Sequence, residues 1–299
     1  MKALDFKGII PPVLSSFTPD GEIYEKGIRE VIRFTLPHVD AYYPIGTYGC
    51  GPLMSLEERK KALEIILDEV NAEVPVIAHV GAADTKSTLE LAKHAKKAGA
   101  SAVGAISPYY APNLPDEALY SYFASLVDAV AEDEFPVFLY NNPHYSQNII
   151  SPKLLRRMAN HGLRGCKDSS FDLVNFYQYQ DAVADYPDFN VIVGTEAIFV
   201  AAFDAGATGC VCGMGNIYPE LMARMYKEYE SGEREKALET QRLILKIRSI
   251  TKVGPTMPNM YAILEIRGID AGYPRQPYLP VDDARKAEIK VSLAKLNLL

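Results

Sequence analysis

A lysine and a tyrosine 27 positions apart, Lys167 and Tyr140, are the side chains whose setting points most directly to chemistry. Lys167 closes the short apolar stretch Gly162-Leu163-Arg164-Gly165-Cys166 and precedes the Ser/Asp-rich helix start Asp168-Ser169-Ser170. Tyr140 ends the strand-like run Phe135-Pro136-Val137-Phe138-Leu139 and is followed by Asn141-Asn142-Pro143. The spacing fits one strand-helix-strand step. On neighbouring parallel strands the phenol and the amine then end on one face of the sheet, within reach of one substrate. A lysine drawn into a packed barrel is desolvated, which favours the neutral amine and moves its pKa from about 10.4 toward roughly 7 to 8. The neutral amine adds to the C2 carbonyl of a 2-oxo acid, loses water and becomes a protonated imine that draws electrons from C3.

The elements that must hold these groups read as short β-rich runs alternating with long amphipathic segments, the rhythm of right-handed βαβ units and a parallel sheet. Eight strands are expected, over 8–14, 41–44, 75–80, 102–106, 136–140, 163–167, 190–194 and 209–212. Most are near-continuously apolar, as strands covered on both faces must be. Ser55-Leu56-Glu57-Glu58 reads as a capping box opening a helix to about Asn71. A second helix starts near Asp84-Thr85 and ends at Lys96-Lys97-Ala98-Gly99, with lysines at the negative end of the dipole and a closing glycine. Beyond Tyr218 only helical patterns follow, over 219–230, 233–250, 258–267 and 282–296. The expected fold class is α/β, a (β/α)8 TIM barrel over about 1–230 with a C-terminal helical extension over about 231–299. No low-complexity stretch or Gly/Ser linker divides it, so residues 1–299 are read as a single domain.

Composition narrows the function classes. The net charge of −7, without a basic run, lacks the phosphate-neutralising surface that nucleic-acid binding needs. Apolar runs stop well short of the roughly 18 to 20 residues of a membrane span. Met1–Lys7 carries an acid and a second lysine where a secretory signal needs an apolar core, so a cytoplasmic location is expected. Cys50, Cys166, Cys210 and Cys212 form neither a disulfide framework nor a zinc knuckle, and His38, His79, His94, His144 and His161 show no metal-ligand spacing. No metal or cofactor is expected.

In a barrel, the active site is built from the C-terminal ends of the strands and the loops after them. The second strand runs into Gly46-Thr47-Tyr48-Gly49, within a glycine-rich loop whose amides can approach a carboxylate. After the fourth comes the rigid loop Ser107-Pro108-Tyr109-Tyr110. These two motifs, with Tyr140-Asn141-Asn142-Pro143 and Gly165-Cys166-Lys167-Asp168, stand in order at the expected strand ends. In that combination the chain resembles the dihydrodipicolinate synthase/N-acetylneuraminate lyase family along nearly its whole length. The resemblance implies a lyase, a class I pyruvate-dependent aldolase acting on pyruvate and an aldehyde. Lys167 would be its Schiff-base residue and Tyr140 its proton relay, hydrogen-bonded by Thr47. The backbone at Thr47 and Tyr48 would hold the substrate carboxylate, and Gly194 and Val211 would line the bound oxo acid. Tyr110 would complete the relay from a neighbouring subunit, in a homotetramer built from tight dimers.

Departures from the family pattern bear on the reaction. Where the synthases carry an arginine for the carboxylate of aspartate semialdehyde, this chain has Tyr145, which cannot supply a bidentate cation. The runs 77–81 and 197–199 look more like the lyase branch. There, however, an Asp-Glu pair is expected after the glycine at 194, and Gly194-Thr195-Glu196-Ala197 keeps one acid. Tyr48 and Cys50 replace a small hydroxyl residue and a glutamate, which predicts a narrower, less polar pocket. The preferred expectation is reversible retro-aldol cleavage of a 2-oxo-3-deoxy acid, with the aldehyde selected by loops around Tyr145, Ser169 and Glu196. Two alternatives stand beside it: 4-hydroxy-tetrahydrodipicolinate synthase, and a barrel that binds an oxo acid without turning it over.

Overall fold

The computed structural model describes residues 6–132 and 135–299. The N-terminal reading therefore falls largely on Met1–Asp5, outside the described residues. Seven strands form one sheet: β1 (Gly8–Ile10), β2 (Ile77–His79), β3 (Ala102–Ile106), β4 (Val137–Asn141), β5 (Gly165–Asp168), β6 (Asn190–Val193) and β7 (Gly209–Val211). Their order is β1-β7-β6-β5-β4-β3-β2 and every neighbouring pair is parallel.

The expected second strand is absent as a regular element, and this corrects the sequence reading. In residues 41–44 an isolated bridge pairs Tyr42 with Val76. Yet the stretch spans the gap between β1 and β2. Tyr43 N donates to Pro11 O at 2.9 Å on one side; on the other, Ile77 N donates to Tyr42 O at 2.9 Å and His79 N to Pro44 O at 3.1 Å. Pro11, Pro44 and Pro75 have no N–H, so the pairing that closes the curled sheet is too sparse for a ladder. For the same reason β1 ends at Ile10, before Pro11-Pro12, and not at Leu14.

Strand periodicity sorts the core into two layers. Ile10, Tyr43, Ile77, Ala102, Phe138, Ile192 and Val211 pack in the inner cluster, while Ile9, Val103, Leu139, Cys166, Val191 and Cys210 belong to the outer core packed with helix residues. Two residues beyond Phe138 the inner face carries Tyr140, and two beyond Gly165 it carries Lys167. A Cβ on Gly165 would come within 2.2 Å of the Phe138 ring, so glycine there lets Phe138 fill the layer below the lysine. Gly104 likewise makes room for Tyr43, whose hydroxyl would lie 2.4 Å from a Cβ at 104.

The helices begin and end where their caps direct. Ser55 Oγ accepts from Glu58 N and Glu58 Oε2 accepts from Ser55 N, opening Leu56–Val70; Asp84 caps Thr85–Ala98, which Gly99 closes at φ 95°. After β7 come the helices Met214–Ile217, Pro219–Glu230, Arg234–Thr251, Thr256–Ile266 and Asp283–Ala294. Met257 through Leu264 are all buried, and Tyr261 Oη donates to Ser15 O near β1. Arg275 joins these C-terminal residues to the second-stave helix through Glu58 at 2.9 Å. Among the described residues no helix is long and apolar enough to cross a membrane.

Candidate active site

β4 and β5 are in register with Tyr140 opposite Lys167. Both side chains point into the barrel, and both are buried. Lys167 Nζ lies 3.6 Å from the centroid of the Tyr140 ring and 4.4 Å from that of Tyr43. Burial draws the lysine below its ordinary pKa, against the nearby Tyr140, which raises it. Burial alone would push the Tyr140 phenol up. The Lys167 charge and hydrogen bonding from Asn142, Thr47 and Ser169 outweigh it, and the phenol ends below its ordinary value. Asn142 Nδ2 donates to Tyr140 Oη at 2.8 Å. An amine that gives up its proton easily thus stands beside a phenol that does the same, the pairing a nucleophile and a proton shuttle require.

The outward faces of the same strand ends are tied together. Asn141 lies opposite Asp168 and donates to its Oδ1 at 2.7 Å, while Ser170 Oγ donates to Oδ2 at 2.8 Å. Burial raises the Asp168 carboxyl above its usual range despite these donors. The lock holds the register that brings Tyr140 and Lys167 together.

Thr47 and Tyr48 reach the same cavity from the loop after the irregular stave. Two of the glycines there are also required sterically. A Cβ on Gly51 would sit 1.9 Å from Ile45 O, and one on Gly49 would sit 2.8 Å from Ile45 N, so both are required by the loop's winding on itself. Ile45 and Cys50 take left-handed φ values of 62° and 55° in the same turn. Tyr48 lies over Gly213, where a Cβ would come 2.7 Å from its ring. Gly194 leaves space for Ser169, whose Oγ would be 1.9 Å from a Cβ there.

The cavity above Lys167 has a volume of about 600 Å³ and is lined by Thr47, Tyr48, Tyr140, Ser169, Gly194 and Val211, with Tyr145 and Glu196 toward its open end. Every expected site residue except Tyr110 therefore meets in one space. Glu196 is buried, and its carboxylate is ion-paired at 2.9 Å with Arg248 of the helix Arg234–Thr251. Arg248 and Lys252 line the same opening, and neither was legible as a site residue in the sequence. Nor were Asn142 and Tyr43. His79 sits edge-on to Tyr140 at 5.9 Å; burial, then the Arg59 and Lys167 charges, hold it well below its ordinary pKa and hence neutral.

Tyr110 stands outside, 87% exposed. Its loop is held by the buried Asn148, whose Nδ2 donates to Pro108 O and Ala111 O, both at 2.9 Å, and whose Oδ1 accepts from Leu114 N at 2.8 Å. A smaller apolar cavity of about 170 Å³ lies on the other side of Thr47 and Tyr140, where Cys50 and Tyr109 line it. Cys50 thus faces this second space and is absent from the lining of the larger one. A groove of about 800 Å³ at the N-terminal ends of β2 and β3, between the helices Leu56–Val70 and Thr85–Ala98, holds none of the expected groups. Among the described residues no three His, Cys, Asp or Glu side chains cluster as metal ligands.

Comparison with known proteins places the chain among relatives that match it over nearly its whole length. An uncharacterized DapA-like lyase of Halobacterium salinarum is 34% identical over 99% of this chain and 96% of its own. A 4-hydroxy-tetrahydrodipicolinate synthase of Methanopyrus kandleri is 31% identical over 98% and 97%. YagE of Escherichia coli, named a putative 2-dehydro-3-deoxy-D-gluconate aldolase, has a crystal structure in complex with pyruvate that superposes with a TM-score of 0.93 at 28% identity, covering 98% of this chain and 99% of that one. A sequence model of the dihydrodipicolinate synthetase family matches residues 5–296, and the chain belongs to that family.

Proposed function

We propose that this protein is a lyase, a class I pyruvate-dependent aldolase that reversibly cleaves a 2-oxo-3-deoxy acid to pyruvate and an aldehyde. The observation that carries the reading is the buried Lys167 amine, against Tyr140, at the base of an open 600 Å³ cavity. Lys167 adds to C2 of the oxo acid and water leaves, so the nitrogen becomes an iminium. Tyr140, as phenolate, takes the proton of the C4 hydroxyl. The C3–C4 bond breaks, its electron pair moves toward the iminium to give an enamine, and the aldehyde departs. C3 then recovers a proton from Tyr140, and water hydrolyses the pyruvyl iminium. Thr47 positions the phenol, the backbone of Thr47 and Tyr48 receives the substrate carboxylate, and Gly194 and Val211 bound the oxo acid. Ser169, Tyr145 and Glu196 face the aldehyde half. The iminium is the electron sink.

The exposed Tyr110 on its pinned loop supports a relay completed by a second copy, in a homotetramer built from dimers. We further read the chain as one cytoplasmic domain, a closed barrel over about 1–230 with a helical extension over about 231–299; the Tyr261 and Arg275 contacts support its docking. A panel of aldehydes supplied with pyruvate, with carbon–carbon bond formation followed by mass spectrometry, tests the reading. At least one hydroxylated aldehyde should be condensed; oxo-acid binding without turnover on any acceptor would leave the non-catalytic alternative. The synthase reading is favoured by the Methanopyrus kandleri relative and opposed by Tyr145. Preferential turnover of aspartate semialdehyde would decide for it.

A further inference from the structure

We propose that Tyr43 is a further catalytic residue: its ring face, set at a steep angle to that of Tyr140, stabilises the cation formed at Lys167 Nζ during imine chemistry. This rests on the Schiff-base reading above. When the amine adds to C2 and water leaves, the nitrogen acquires a fixed positive charge in a buried site. The groups facing it are Tyr140 from β4, Tyr43 from the irregular stave and His79 from β2, with the thiols of Cys210 and Cys212 near β7 close enough to act on its charge. None is a carboxylate, and His79 is neutral. The Tyr140 phenolate is a counter-ion for it only while deprotonated; beside a neutral phenol the buried cation has none, which is costly. Two aromatic faces at 3.6 and 4.4 Å are what remains to offset that cost, through the negative face of each ring.

Tyr43 is wholly buried and its Oη has no hydrogen-bond partner among the described residues, so the ring face is what it offers Lys167. The ring is also held in place deliberately by its surroundings: only a glycine at 104 admits it, since a Cβ would come within 2.9 Å of Cε2 and Cζ as well as 2.4 Å of Oη. His79 meets the ring at 6.0 Å and Tyr140 edge-on at 6.0 Å. Tyr43 is therefore a fixed wall of the nucleophile's chamber.

The test is the equilibrium yield of pyruvate imine, trapped with cyanoborohydride and read by intact mass across pH, in wild type, Tyr43→Leu, Tyr43→Met and Tyr43→Phe. On the alkaline limb the free amine is neutral and only the imine is charged. There the leucine and methionine variants should lose about tenfold in the formation constant, and phenylalanine should restore it. On the acid limb the free lysine is already an ammonium that the same ring stabilises, so the deficit should shrink. A structural defect has no such pH signature. Equal yields in all four proteins, or a deficit constant across pH that follows the melting temperature, would overturn the proposal; methionine, closest in flexibility, serves if the leucine variant does not fold. If wild type forms no adduct, the Schiff-base reading itself fails first.

Discussion

The floor and the rim of the cavity are built in opposite ways. The floor around Lys167 is aromatic and buried, made of Tyr140 and His79 from strand positions that the inward alternation fixes and of Tyr43 from the irregular stave. The rim is charged and hydroxylic. It combines Glu196 after β6, Ser169 after β5, and, more than fifty residues beyond Glu196, Arg248 in the helix Arg234–Thr251 and Lys252 at its end. Desolvation shifts the amine at the floor and would make any cation there depend on its immediate walls, whereas the rim holds a compensated ion pair beside solvent. Under the proposed function, reactivity is a property of the barrel interior, and selection among aldehydes a property of segments laid over it.

That division can be broken from the floor first. Lys167→Ala should lower turnover on the order of 10⁴-fold or more while leaving the fold intact, as steady-state kinetics beside a thermal melt would register. Tyr140→Phe should lower kcat by about 10² to 10⁴-fold yet still permit imine formation, because the nucleophile survives and its proton shuttle does not. Loss of both activities to the same extent would show that the phenol acts earlier than bond cleavage.

At the rim the expected effects are smaller and of another kind. Arg248→Ala strands the buried Glu196 carboxylate and should cost about 2 kcal/mol, reduced from the range for fully buried pairs because the arginine is partly exposed. Denaturant melts should show this loss, and the double variant Glu196→Gln/Arg248→Ala should recover most of it. Neither should alter pyruvate trapping, while both should change KM for the cleaved substrate. An altered trapping yield would mean that floor and rim are coupled.

The smallest effect concerns stability against pH. In the unfolded chain Lys167 keeps its proton up to about pH 10.4, and Tyr140 to about pH 10; in the folded chain both release it earlier. Between the folded and unfolded values the unfolded state holds more protons, so stability should rise with pH there, by at most about 1.4 kcal/mol per unit for each group. Lys167→Met should flatten that rise and be more stable than wild type by about 1 kcal/mol on its acid side. Urea titrations from neutral to alkaline pH measure both.

The floor was largely legible in the sequence because its information is local. A spacing of 27 residues encodes one βαβ step, and the register of Tyr140 with Lys167 follows from it. The capping box at Ser55 and the terminal helices were readable for the same reason. The irregular stave was not, since its apolar run hides what Pro11, Pro44 and Pro75 do to the ladder. Tyr43 looked like ordinary core, and Arg248 like one charge among several on an amphipathic helix. Only the folded chain brings the first beneath Lys167 and the second to Glu196, and no spacing rule links residues that meet through tertiary packing. A further reason for the loop glycines was not legible: Gly49 and Gly51 serve the turn around Ile45.

Borohydride reduction in the presence of pyruvate puts the buried amine to the most direct test. Intact-mass spectra of wild type should show a stoichiometric pyruvate adduct, with peptide mapping to Lys167 and no adduct in Lys167→Ala. An unmodified wild-type protein, or an adduct that persists in the alanine variant, would contradict covalent catalysis at this lysine.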